Sequence, residues 1–397
     1  MIGDGWDGAA SAKPGEFDES AEARVLRVCC VTGSRAEFGL LRPVMLAISR
    51  RPELELAVVA AGSHLVSPAH TFYDVKRTFA IADIVPMQVA GKTGRAEDVQ
   101  SLGRGVARFG RAFELLRPDW VLVLGDRIEA LAAGLAASIG GVGLLHVHGG
   151  DRAEGVSDES IRHSLSKLAH AHFAATPRSA QRLVQMGEDS WRVHQVGSPA
   201  IDELASIEPL ADDIYQELGS PEIVMLLHPV GRSSEQEEAG AASLIAAIKA
   251  SGARALLLEP NLDPGRDGIL RAVVQSGFAS KSHLRRDQFV GLLRRVAMVG
   301  GCLVGNSSAG LIECAALGVG VVDIGPRQGG REAGPNVVHV AREEESVLLG
   351  AIARARGLRV DATAHPYGDG KTGERIAAHI AQLGVPTPRM LRKRCAY

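Results

Sequence analysis

A chain of 397 residues is long for a single hydrophobic core, so two domains are the first expectation. Its 46% hydrophobic and 23% charged residues are ordinary for a globular protein. Lys+Arg of 44 against Asp+Glu of 46 leaves a formal net charge of -2, which gives no electrostatic case for nucleic acid or an anionic membrane.

The five cysteines, Cys29, Cys30, Cys302, Cys314 and Cys395, form no CxxC pair and no spaced Cys/His set. They read as buried reduced thiols, not zinc ligands. No apolar stretch has the length of a membrane span, and residues 1–23 lack the basic and apolar regions of a signal peptide. That segment reads as a flexible tail, and the protein is expected in the cytoplasm.

From Arg24 onward, short β-branched runs alternate with helical periodicity. The pattern predicts strands at Val25–Val31, Leu54–Ala61, Ile84–Gln88, Trp120–Leu124, Val142–His146, His172–Ala175 and Val193–Val196. Between them come an amphipathic segment reaching Arg50 and helices at Arg95–Leu116, Ile128–Ile139, Asp158–His170 and Pro177–Met186. Gly197-Ser198-Pro199 is the natural joint. The rhythm restarts with strands at Ile223–Leu227, Ala255–Leu258, Met298–Val304 and Val319–Ile324, and helices at Ser234–Ala250, Gln288–Val296 and Ser308–Leu317. Continuous apolar strands separated by helices indicate parallel sheets covered on both faces. The division is thus 24–198 for the first unit and 199–397 for the second, with a cleft between them. Ligands of such sheets sit beyond the carboxyl ends of the strands, so the loops there carry the chemistry.

The first strand ends in Gly33-Ser34-Arg35-Ala36-Glu37-Phe38-Gly39, where Arg35 is placed to meet a phosphate or uracil oxygen. The same residues also suit a tight turn with an exposed arginine. This is neither GxGxxG nor a Walker loop, so nicotinamide and ATP have no support. The second strand ends in Gly62-Ser63-His64-Leu65, small and polar at the cleft edge. Gly125-Asp126-Arg127 follows a central strand, with helix capping by Asp126 as the alternative to chemistry. The next strand ends His146-Val147-His148-Gly149-Gly150-Asp151, followed by Glu154, Asp158, Glu159, Arg162 and His163. Such a concentration of histidines and carboxylates is an acid/base constellation. Alternate histidines on a strand share a face, but no established metal-ligand spacing occurs, and no metal or cofactor is expected.

In the second half, Leu227-His228-Pro229 and Glu259-Pro260-Asn261-Leu262-Asp263 end strands facing the cleft. Val304-Gly305-Asn306-Ser307-Ser308-Ala309-Gly310 passes from strand to helix. Its N–H groups, hydroxyls and helix dipole would cradle a phosphate. Glu313, one turn on, is placed to accept both hydroxyls of a ribose, or is a solvated residue behind a serine cap. Gly325 to Glu332 then supplies flexible backbone and two guanidinium groups, Arg327 and Arg331.

The ordered set GSRAEFGLLRP, GSHL, GDRIEALA, HGGD…SDESIRHSLSKLAHAHF, HPV, EPNLDPG, GNSSAGLIE, GPRQGGREAGPNVVHV and YGDG resembles the hydrolysing UDP-N-acetylglucosamine 2-epimerases of sialic-acid biosynthesis. The resemblance covers nearly everything from Arg24 onward, and collinearity decides it. It implies an α/β glycosyltransferase-B-like fold, two Rossmann-like domains with a UDP-sugar between them, in a homodimer or homotetramer. It also implies that Arg35, His228, Asn261, Ser307, Ser308 and Glu313 hold UDP. Asp126, His148 and Asp158 would stand at the sugar, with His64, Arg127, Asp151, Asp263, Arg327 and Arg331 as further contacts. Many relatives carry Glu at the positions of His148 and Asp151, and the spacing from His148 to Asp158 is one residue longer here than in vertebrate-type sequences. The departures fall in the sugar pocket and leave room for UDP-2,4-diacetamido-2,4,6-trideoxyglucose, as in legionaminic-acid pathways. A glycosyltransferase, a non-hydrolysing epimerase and a silent nucleotide-sugar-binding protein are the competing readings. Free UDP separates the hydrolysing enzyme from a non-hydrolysing epimerase, and free UDP together with the free C2-epimeric sugar separates it from all three.

Overall fold

The computed structural model describes residues 24–67, 71–92, 94–154, 158–261, 263–358 and 360–394. The expected N-terminal tail and Cys395 lie outside them. The first sheet comprises β1 (Leu26–Thr32), β2 (Leu54–Ala61), β3 (Ile81–Val85), β4 (Trp120–Leu124), β5 (Gly143–Val147), β6 (Ala171–Ala174) and β7 (Val193–Gln195). Its strands are all parallel, in the order β3-β2-β1-β4-β5-β6-β7. The second comprises β8 (Ile223–Leu226), β9 (Ala255–Leu258), β10 (Ala279–Lys281), β11 (Cys302–Gly305), β12 (Gly320–Ile324) and β13 (Val337–Val340), parallel in the order β10-β9-β8-β11-β12-β13. Strand order reverses between β1 and β4 and between β8 and β11, so each sheet opens a crevice at that point.

Alternation along β1 explains how both faces of the first sheet are covered. Val28 and Cys30 join a core with Phe38, Leu41 and Ile48 of the helix Arg35–Ser49. Cys29 and Val31 face the other way, onto Phe109, Ala130 and Ala133 of the helices Arg95–Leu116 and Ile128–Ile139. The helix Thr372–Leu383, which the two-unit division assigns to the second half, lies in the first core through Ile376, Ala377 and Ile380. Each buried isoleucine is worth about 2 kcal/mol of apolar burial. The return is pinned at its start by Asp202, whose carboxylate accepts the N–H groups of Thr372 (3.0 Å) and Gly373 (2.7 Å). At its end, the Trp120 indole N–H donates to the Gly384 carbonyl oxygen at 2.8 Å.

Three elements differ from expectation for identifiable reasons. β3 ends at Val85 and not at Gln88, because Pro86 has no N–H for the ladder. The helix Arg286–Met298 runs on through the start of the strand predicted from Met298, and Gly300 (φ 66°) makes the turn before β11. The helix expected over Ser308–Leu317 breaks at Ile312 (φ −103°, ψ −72°) into two single turns. The short edge strands β10 and β13 were not foreseen. Among the described residues no helix is long and apolar enough to cross a membrane.

Candidate functional site

The loops after β1 and β2 are held by one buried carboxylate. Glu129, from the first turn of the helix after β4, is fully enclosed. It accepts the Gln88 amide (2.8 Å), the Ser63 N–H (3.4 Å) and the Arg127 guanidinium (3.4 Å). A Cβ on Gly33 or Gly62 would sit 2.4 Å from the Glu129 side chain, so both loops need glycine there. Glu37 folds back so that its Oε2 accepts the Gly33 N–H at 2.8 Å, while its Oε1 is buried without a partner. Burial pushes the Glu37 carboxyl up to about 8, so it is mostly protonated at neutrality. Arg35 is exposed at the start of the helix Arg35–Ser49. His64 instead is wholly buried between Thr32 (3.0 Å) and Thr71 (2.6 Å), and burial lowers its pKa to about 4. It fastens the ends of β1 and β2.

Beyond β4, Asp126 pairs with Arg162, whose side chain is 2% exposed against 23% for Asp126. Arg162 also donates to Glu159 (3.0 Å) and to the Asp151 carbonyl oxygen (3.2 Å). Beyond β5, His148 adopts φ 64°, a left-handed conformation that costs a non-glycine residue on the order of 1 kcal/mol. That geometry aims its ring inward. Nδ1 meets the Asp151 carboxylate at 2.9 Å and Nε2 meets the Ser198 hydroxyl at 3.0 Å. The carboxylate engaging His148 is thus Asp151. Asp151 also accepts the Ser179 hydroxyl at 2.7 Å. Burial alone would raise its pKa, but His148, Arg331 and Ser179 outweigh burial and hold it at about 2. Asp158 opens the helix Asp158–Leu168, and its side chain lies outside the described residues.

On the other wall, Asn306 fixes His228 by accepting its N–H and donating to its carbonyl oxygen, both at 2.8 Å. His228 Nδ1 accepts the Asn261 N–H at 3.1 Å, and burial followed by Arg327 lowers the imidazole below its usual range. The Asn261 side-chain amide donates to Asp263, which therefore orients it. Ser307 caps the turn Ser308–Leu311 by accepting the Ala309 N–H at 3.4 Å. With the helix broken at Ile312, the dipole expected behind a phosphate is confined to one turn, and more of the positive charge must come from arginines. Glu313, largely buried, pairs with Arg286 at 3.2 Å, and Arg286 in turn donates to the Ala200 carbonyl oxygen at the joint.

The loop after β12 brings the walls together. Arg327 reaches the Asn306 carbonyl oxygen at 3.5 Å, and the Gln328 amide donates to the same oxygen at 2.9 Å. Arg331 donates to the Arg152 carbonyl oxygen at 3.2 Å and comes within 3.8 Å of Asp151. The Glu154 N–H donates to the Gly329 carbonyl oxygen at 3.2 Å. Residues brought together from both sheets thus include carboxylates from the first and cations from the second. Sequence reasoning missed Glu129, Arg162, Arg286 and Gln328 as organisers, although all but Arg286 stand inside the motifs quoted above.

Two facing parallel sheets with polar loops at their carboxyl ends define a glycosyltransferase-B-like architecture. The family model for UDP-N-acetylglucosamine 2-epimerase matches residues 46–381, so the chain belongs to that family. It is 34% identical over 363 residues to the UDP-N,N'-diacetylbacillosamine 2-epimerase (hydrolyzing) of Legionella pneumophila, spanning 88% of this chain and 94% of that protein. It is 32% identical over 331 residues to the UDP-N-acetylglucosamine 2-epimerase of Neisseria meningitidis, spanning 81% and 85%. A Methanocaldococcus jannaschii UDP-GlcNAc 2-epimerase solved with UDP-GlcNAc and UDP has the same fold, with a TM-score of 0.77 at 16% identity over 90% of this chain and 100% of that one.

Proposed function

We propose that the chain is a hydrolysing 2-epimerase that converts a UDP-linked 2-acetamido sugar into UDP and the free C2 epimer. The observation that carries this reading is Arg331 of the second unit beside Asp151 of the first, which puts a cation for a departing diphosphate next to the carboxylate cluster. A C2–H next to an acetal carbon is too weakly acidic for a carboxylate to remove directly. As the C1–O bond to UDP breaks, C1 gains oxocarbenium character and the C2 proton becomes acidic. Asp126, more open than Asp151 and paired with Arg162, takes that proton and a glycal forms. Protonation at C2 from the opposite face and addition of water at C1 complete the inversion. Arg327, Arg331 and the Ser307–Ser308 turn hold the diphosphate, Glu313 holds the ribose, and Arg35, His228 and Asn261 line the uracil end. His148 orients Asp151, its ring being committed at both nitrogens.

The names of the Legionella relative and of a Campylobacter jejuni relative, 28% identical, support the 2,4-diacetamido-6-deoxy sugar as the first substrate to test, with UDP-GlcNAc as the second. The experiment is incubation of each UDP-sugar in deuterium oxide. Free UDP and a free manno-configured sugar with deuterium at C2 are expected. A UDP-linked product, or retention of the original hydrogen at C2, would refute the reading.

A further inference from the structure

Glu332 lies in the bridging loop between β12 and β13, and its side chain enters the first unit. Its Oε1 accepts the Thr176 hydroxyl at 2.8 Å, and its Oε2 accepts the Arg182 guanidinium at 3.4 Å. Thr176 caps the helix Pro177–Gln185 by accepting the Ser179 N–H at 3.0 Å. The Ser179 hydroxyl, 2.9 Å from that of Thr176, donates to Asp151 Oδ1 at 2.7 Å. From Asp151 the path continues through His148 to Ser198, whose backbone N–H donates to the Tyr367 carbonyl oxygen at 2.8 Å. The Tyr367 hydroxyl donates back to the Glu332 carbonyl oxygen, closing a ring of hydrogen bonds. Thr176, Ser179 and Ser198 are fully buried, so water cannot substitute for a missing partner without reorganisation.

We propose that Glu332 is a positioning residue that sets Asp151 and His148 in the sugar pocket only while the two units are docked. The proposal rests on the reading of the cleft as a UDP-sugar site. Arg182 strengthens the latch, since it also donates to the carbonyl oxygens of Gly150 (3.2 Å) and Gly330 (2.9 Å), tying both loops to one guanidinium. The ring thus makes the geometry of the carboxylate depend on a loop that also carries the diphosphate cations. Substrate held only by the second unit meets an unfinished sugar pocket until the loop is seated.

The test compares Glu332→Gln, Thr176→Val and the double variant with the wild type. Expected are a kcat at least tenfold lower in each single variant, a double variant within threefold of the worse single one, and UDP affinity by calorimetry within twofold throughout. A Glu332→Gln enzyme with kcat within twofold of wild type, or multiplicative losses in the double variant, overturns the proposal. A second readout needs no turnover: exchange of the Glu154 amide, which bonds Gly329 across the units, should quicken at least tenfold in Glu332→Gln. Should the wild type release neither UDP nor free sugar, the proposed reaction fails and this exchange decides the latch alone, unchanged rates overturning it.

Discussion

Arg162, buried to all but 2% of its side chain, forms an ion pair with Asp126 at the tip of β4. The pair joins the loop after β4 to the helix after β5, where Arg162 also holds Glu159. An enclosed guanidinium paired with Asp126 fixes the direction of its carboxylate. Asp126→Asn is expected to lower kcat by roughly two to four orders of magnitude with UDP affinity unchanged. Arg162→Met should lose at least about tenfold through misplacement of the carboxylate. Steady-state kinetics with calorimetry check both. An Asp126→Asn enzyme keeping more than a tenth of its kcat would remove Asp126 from proton transfer.

His148 bridges Asp151 and Ser198, so its removal leaves two buried polar groups without their partner. For His148→Ala the expectation is a kcat lower by roughly one to two orders of magnitude, with KM for the UDP-sugar little changed. Added imidazole distinguishes the roles. A positioning residue is not rescued by a free base, whereas recovery of kcat that tracks imidazole concentration would make His148 itself the proton carrier.

Glu313 faces Arg286, which is tied to the joint at Ala200. In the proposed complex the ribose hydroxyls share that carboxylate, as charge-assisted donors. Glu313→Gln should therefore weaken UDP by about 2 kcal/mol, or roughly thirtyfold. Calorimetry with UDP alone measures it. Unaltered affinity would leave Glu313 as nothing more than the partner of Arg286.

The strands that carry the chemistry were legible because they are continuous apolar runs ending in unlike residues. WVLVL followed by Gly125-Asp126 and GLLHV followed by His148 cannot be solvent-facing segments, and both are fully buried. What could not be read was whatever depends on a partner far along the chain. Glu129 looks like an ordinary acidic residue in a helix's first turn until Gly33 and Gly62 are found against it. The helix Thr372–Leu383 shows amphipathic spacing, but nothing local says that Asp202 caps it and that the first sheet receives it. His64 has the composition of a cleft residue, and only its two threonine partners reveal a fastener. β10 and β13, three and four residues long at sheet edges, give too little periodicity to register.

Glu37 supplies a pH dependence with a definite sign. Its carboxyl is raised to about 8 in the folded protein, chiefly by burial, against an ordinary value of 4.5. The folded state therefore holds this proton over a range where the unfolded chain has released it. Its contribution to stability is complete below about pH 4.5 and is lost progressively as pH rises through about 8. Glu37→Gln keeps an acceptor for the Gly33 N–H and removes the titration. Denaturant midpoints should then show the wild type losing stability between pH 5 and pH 8 relative to the variant, with the difference growing toward the alkaline end. Asp151 acts in a different window, since its depressed carboxyl contributes above its ordinary value of 3.8 and loses that contribution toward about 2. The two effects are therefore separable in one titration. Parallel midpoint curves for wild type and Glu37→Gln across pH 5 to 8 would show that Glu37 is already ionised in the folded protein.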